Sequence, residues 1–212
     1  MKEMDRNVLS AAFHVTIPVL MGYLAIGMAF GLMMDSAGYN VFWALLMSLI
    51  IYAGAGQYMG VTLLAAGASP LQTALMTLLL NFRHMFYGLS MLEKFRGMGL
   101  RKLYMIFSLT DETYALLASA KAPEGVREKD YYLAIALMDH SYWVLGTVLG
   151  SLLGSALSFD TTGVDFAMTA LFIVIAVGQW KGTRNHLPAA IGCLATLASL
   201  RLAAVSYTHL TL

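Results

Sequence analysis

Residues 70–92 read Pro70-Leu71-Gln72-Thr73-Ala74-Leu75-Met76-Thr77-Leu78-Leu79-Leu80-Asn81-Phe82-Arg83-His84-Met85-Phe86-Tyr87-Gly88-Leu89-Ser90-Met91-Leu92. The run is apolar over a bilayer-crossing length of about 20 residues, yet Asn81, Arg83 and His84 sit near its middle. Pro70 suits a helix start, where its missing N–H costs nothing. At about 1.5 Å per residue, Arg83 lies roughly 15 Å from Glu93 at the end of the run. A long side chain snorkels poorly from that depth, so Arg83 is expected to face the protein interior.

Working outward, six further apolar runs flank this third one. They cover about residues 10–34, 41–67, 103–120, 131–157, 164–180 and 188–205, with charged loops at 93–102 and 121–130. Composition agrees with the runs. The 212 residues are 59% hydrophobic and 12% charged, with a mean hydropathy of +0.70. Soluble domains hold about 25% charged residues, so this chain cannot coat a soluble surface. A cytosolic enzyme, a nucleic-acid binder and a disordered linker are all excluded on that ground. The net charge of +1 leaves no basic face for phosphates. The expectation is an all-α polytopic membrane protein, with residues 1–205 forming one integral membrane domain. The basic start at Lys2 and Arg6 precedes a run too long for a signal-peptide core, so the first helix is read as uncleaved.

Segments 2 and 4 are the polar ones, and two readings stay open for them. If every segment spans, the loops 93–102 and 121–130 lie on opposite sides. A cytoplasmic amino terminus is then weakly favoured by the positive-inside rule. If segments 2 and 4 are broken and re-entrant, all of those charges fall on one side. Segments 1–3 also echo segments 5–7. Gly56-Gln57-Tyr58-Met59-Gly60 matches Gly178-Gln179-Trp180-Lys181-Gly182, and Pro70 opens segment 3 as Pro188 opens segment 7. This reads as an internal repeat of the kind common in secondary transporters, with chance matching of apolar sequence as the alternative.

Polar groups deep in apolar runs cost energy and need partners, water or a function. Arg83 is either a fixed cation for a carboxylate or half of a structural ion pair. His84 is either a hydrogen-bonding core residue or a proton carrier, and it shares a helix face with Asn81. Asp111 and Glu112 stand in the middle of segment 4 and point about 100° apart on a helix. One is expected to pair with Arg83 and the other to line a water path, unless the stretch is simply wet. Asp139, about 12 Å into segment 5, is a further proton site or a structural partner of Arg83. Gly54, Gly56 and Gln57 suggest a helix break whose free backbone groups hold the charged ends of a zwitterion. Small-residue packing is the alternative, and the preferred one for Gly54. Gly146, Gly150 and Gly154 form a ridge that reads as a packing seam. No nucleotide, metal or nucleophile motif is present in the sequence. No cofactor, metal or catalytic residue is therefore expected.

Gly27-Met28-Ala29-Phe30-Gly31, Ala53-Gly54-Ala55-Gly56-Gln57, Asn81-Phe82-Arg83-His84-Met85-Phe86-Tyr87 and Thr110-Asp111-Glu112-Thr113-Tyr114 together resemble the AzlC family over roughly residues 10–200. These are large subunits of bacterial branched-chain amino-acid exporters. The resemblance implies export of valine, leucine, isoleucine and analogues across the bacterial cytoplasmic membrane, with a small AzlD-type membrane subunit as partner. It implies coupling to an ion gradient, read here as protons. In that reading Gly54, Gly56, Gln57, Asn81 and Arg83 bind substrate, and Asp111, Glu112, Asp139 and His84 handle protons. The alternative is a permease or scaffold subunit of a larger complex, including one energised by a separate ATPase. Val205–Leu212 resembles translated adapter sequence, so residues 206–212 are expected to be non-native and His209 is not read as a ligand.

Overall fold

The computed structural model describes residues 6–156, 173, 177, 180–181 and 186–210. It divides into two compact units, residues 1–168 and 169–212. Eight helices are described. They are α1 (Arg6–Ser36), α2 (Val41–Ile50), α3 (Gly54–Ala65), α4 (Pro70–Ser90), α5 (Arg101–Phe107), α6 (Asp111–Ser119), α7 (Glu128–Ala156) and, in the second unit, α8 (Leu187–Leu210). No strand occurs among the described residues. The predicted segment 6, with its half of the repeat, falls almost wholly outside them.

Of the described helices, α1 and α7 are long and apolar enough to cross a membrane, and Val41–Ile50 and Ala189–Ser199 are shorter apolar stretches. The glycine ridge explains how α1 and α7 come together. A methyl group on Gly31 would fall 2.2 Å from the Thr147 carbonyl oxygen, and one on Gly150 would fall 2.0 Å from the Met28 carbonyl oxygen. Only hydrogen fits, so the two backbones touch. The register rises together along both helices, from Thr16 beside Tyr142 to Asp35 beside Gly154. The pair is therefore parallel.

Segments 2 and 4 are each interrupted. Segment 2 breaks at Ile51–Ala53, where Tyr52 takes φ +40°. This left-handed backbone is rare for a bulky residue. Its ring stacks on His140 at 4.1 Å. The chain then turns back, because Gln57 returns to Ser48 and Gly60 to Met47. Segment 4 breaks at Ser108–Thr110, with Thr110 capping α6 through its hydroxyl. It too turns back. Arg101, the first residue of α5, pairs with Asp130 at 2.7 Å. Lys129 donates to the Gly97 carbonyl at 3.2 Å. Lys94 donates to the Leu117 and Ala118 carbonyls at the end of α6. The charged loops 93–102 and 121–130 thus lie together at one end of the α1–α7 pair.

The two hairpins enter from opposite ends. α2 leaves the far end, following Ser36, and α5 leaves the charged end. Their tips meet at mid-length, where Tyr52 and Phe107 approach to 6.2 Å between ring centres. α4 runs between the two ends. Its first turn is at the far end, and Met91 and Phe95 just past it join the core with Val8, Met105, Leu117 and Tyr132. α4 buries no residue completely, and Leu71, Leu75, Leu78, Phe82 and Leu89 form an exposed apolar stripe along it.

Candidate functional site

Where the hairpin tips meet, four helices deliver polar side chains to one level. From α4, Arg83 Nη2 stands 2.8 Å from Asp111 Oδ2 at the start of α6. Tyr87, one turn further along α4, donates to the other oxygen, Oδ1, at 2.7 Å. Its ring stacks on Tyr114 at 4.3 Å. Asp111 and Glu112 occupy the first turn of α6, where the helix dipole favours negative charge. Both side chains of the Arg83–Asp111 pair keep some exposure, 33% and 21%, so the pair is not sealed inside the core.

Glu112 points the other way, as its position on the helix requires. It accepts from Tyr23 on α1 at 2.8 Å. Tyr23 also meets the Thr110 hydroxyl at 2.6 Å, Thr110 meets Thr113 at 3.1 Å, and Thr113 donates to Asp139 Oδ2 at 2.9 Å. Asp139 is fully buried, and its Oδ1 has no hydrogen-bond partner among the described residues. Arg83 therefore pairs with Asp111, and the alternative pairing with Asp139 is not what the structure contains. His140, next to Asp139, lies between the Tyr104 hydroxyl at 3.0 Å and the Ser48 carbonyl at 3.1 Å. No group of acids, histidines and cysteines suited to a metal occurs among the described residues.

The α2–α3 hairpin supplies the remaining predicted residues. Gly54 lies against Trp143, whose ring would be 3.3 Å from a methyl group there, which is the packing alternative. Gly56 faces α4, where Asn81 Nδ2 would be 3.8 Å from such a methyl group. No side chain caps the start of α3, so the first amides of that helix lie near Asn81 without a side-chain acceptor. Gln57 is completely buried and both ends of its amide are occupied. It accepts from Trp143 at 2.9 Å and donates to Ser48 at 3.2 Å, while Ser48 in turn donates to Thr147. Gln57 ties the hairpin to α7. His84 is half-buried and its Nδ1 lies 3.2 Å from the Asn81 carbonyl.

The structure thus gathers Arg83 with Asp111, Gly56 with Asn81, and Glu112 with Asp139 through hydroxyls. Tyr23, Tyr52, Thr113 and Tyr87 belong to the same centre and were not singled out from the sequence. A hydroxyl does not interrupt an apolar run, so hydropathy gives it no signal.

Comparison with known proteins places this arrangement. The sequence profile described as AzlC protein matches residues 18–157. A Helicobacter pylori (strain ATCC 700392 / 26695) protein described as an uncharacterized membrane protein is 46% identical over 196 residues, covering 92% of this chain and 86% of its own. The Bacillus subtilis (strain 168) protein described as branched-chain amino acid transport protein AzlC is 40% identical over 190 residues, covering 90% of this chain and 75% of its own. The Escherichia coli (strain K12) inner membrane protein YgaZ is 33% identical over 200 residues, covering 89% and 81%. No solved structure matches. The profile spans the glycine seam, both hairpins and every residue of the polar centre, and the chain belongs to the AzlC family.

Proposed function

We propose that this chain is the large membrane subunit of a secondary exporter of branched-chain amino acids. It sits in the bacterial cytoplasmic membrane, works with a small AzlD-type membrane subunit and draws on the proton gradient. The Bacillus relative's description supports the substrate class. The observation that carries the mechanism is the meeting of two half-helix hairpins around one cation and three acids. Broken helices at mid-membrane are where secondary carriers hold substrate. A zwitterion's carboxylate fits between Arg83, Asn81 and the uncapped first turn of α3, competing with Asp111 for the guanidinium. Its ammonium fits Asp111 once that carboxylate is released from Arg83. Glu112 and Asp139 carry the coupling proton.

Orientation follows from charge. Apart from Arg83, every described lysine and arginine of the first unit lies at the end shared by Arg6 and the loops 93–102 and 121–130. The positive-inside rule puts that end in the cytoplasm.

The test is efflux of valine from loaded lipid vesicles that hold this chain and its small partner. Export is expected with the wild-type protein. Arg83→Gln is expected to abolish it while the protein still inserts and purifies as a folded species. Absence of export from the wild type would overturn the proposal. Export retained by Arg83→Gln would reassign Arg83 to structure alone.

A further inference from the structure

The chain of oxygens between Glu112 and Asp139 contains a proton count. Four links join them: Glu112 to Tyr23 at 2.8 Å, Tyr23 to Thr110 at 2.6 Å, Thr110 to Thr113 at 3.1 Å, and Thr113 to Asp139 at 2.9 Å. The three hydroxyls between the carboxylates own three hydrogens. The backbone N–H of Thr113 also donates to Thr110 at 3.2 Å, but it adds nothing along the path. With both carboxylates ionised, one of the four links has no hydrogen in it. One extra proton fills every link.

That proton has two places. On Asp139 it donates to Thr113, Thr113 to Thr110, Thr110 to Tyr23, and Tyr23 to Glu112. On Glu112 the same four bonds point the other way. Passing between the two states needs each hydroxyl to give up its own hydrogen and take its neighbour's. The O–H bonds broken equal the O–H bonds formed, and the net result is transfer of one proton from one carboxyl to the other. The ends differ in surroundings. Asp139, Thr113, Tyr23 and Thr110 are buried, whereas Glu112 keeps some exposure. An ionised Asp139 would also leave Oδ1 as a buried anionic oxygen with no partner among the described residues, which is costly. The phenols Tyr52, at the hairpin turn, and Tyr104, on α5, also face Asp139; the Tyr52 hydroxyl lies beside Thr113 and Tyr23 as well, and Asp111 adjoins Glu112.

We propose that Glu112 and Asp139 share a single proton through the hydroxyls of Tyr23, Thr110 and Thr113, with Glu112 as the end that exchanges with solvent and Asp139 as the buried end. Sharing is a property of this centre alone. Only the use of that proton to drive export rests on the function proposed above.

Infrared difference spectra of the full chain in lipid nanodiscs, taken between neutral and alkaline pH, test it through the carboxylic-acid C=O stretch. The wild type is expected to show this band. Glu112→Leu is expected to lose it although Asp139 is untouched, because the first link is removed and the three hydroxyls fill the three remaining ones to an ionised Asp139. Asp139→Asn is expected to lose it likewise. Adding Thr113→Val to Glu112→Leu removes the donor to Asp139, so the band is expected to return, and Thr113→Ser in its place leaves the band lost. Tyr23→Phe in its place leaves two links and two hydroxyl hydrogens, those of Thr110 and Thr113, so the band is expected to stay lost. A band that survives Glu112→Leu at wild-type strength would overturn the proposal. So would one that stays lost when Thr113→Val is added. The spectra need no amino acid, so a chain that exports nothing would overturn the transport reading and leave this one standing.

Discussion

Gly150 is a residue whose side chain is defined by what cannot be there. A methyl group on it would lie 2.0 Å from the Met28 carbonyl oxygen, whereas one on Gly22 would meet nothing within 4 Å. Gly150→Ala must push the α1 backbone away from α7. Overpacking of this kind costs about 1–3 kcal/mol. Gly22→Ala removes a flexible residue from a helix, worth up to about 1 kcal/mol in its favour. In a thermal melt of the detergent-solubilised protein, Gly150→Ala is expected to unfold clearly below the wild type and Gly22→Ala at or above it. The seam was legible in the sequence because glycine spacing on a helix is a local pattern. The depth of Arg83 was legible for the same reason. The identity of its partner was not: Asp111 and Asp139 are both acids at suitable depth, and only the turn at Ser108–Thr110 decides which one α4 meets. Tyr23 was not legible at all, and Thr113 entered only as a member of the Thr110–Tyr114 stretch. They bear no charge, and their importance comes from neighbours more than 80 residues and 26 residues away in the chain.

At the scale of elements, length decides. α5 has 7 residues and α6 has 9, so they reach about 10 and about 14 Å. Neither crosses an apolar layer of about 30 Å, and the Arg101–Asp130 contact returns the chain to where it started. Cysteine labelling measures this directly. Cys193 is the one cysteine of the sequence and is exposed, so the background variant is Cys193→Ser. Arg96→Cys and Glu124→Cys are expected to react with a membrane-impermeant maleimide from the same face. Ala68→Cys, in the turn between α3 and α4, is expected to react from the opposite face. Labelling of Arg96→Cys and Glu124→Cys from different faces would mean that segment 4 crosses. The sequence marked segments 2 and 4 as the polar, broken ones through Gly54, Gly56 and the adjacent acids. It left crossing and returning both open, because loop charges fit both and the deciding ion pair joins residues far apart in the chain.

For the whole molecule, charge is sorted into two populations. Among the described residues of the first unit, the lysines and arginines other than Arg83 gather at one end, and the charges inside the hairpin junction are Arg83, Asp111, Glu112 and Asp139. An exporter that uses the inward proton gradient must exchange one for the other: substrate leaves as a proton enters. Acid outside should therefore drive amino acid out, and the size of the effect counts protons. A difference of one pH unit is worth about 1.4 kcal/mol per proton, or about a tenfold concentration ratio. Consider vesicles with equal valine on both sides, the membrane potential clamped, and the outside one unit more acidic. If Glu112 and Asp139 share one proton, valine inside is expected to fall to about one tenth of the outside value. Two independently titrating acids coupled to the same step would give about a hundredfold ratio. Asp139→Asn fixes the junction in one protonation state. It is expected to keep valine exchange across the membrane and lose any response to the pH difference. A variant that still concentrates valine down the proton gradient would show that Asp139 carries no coupling proton.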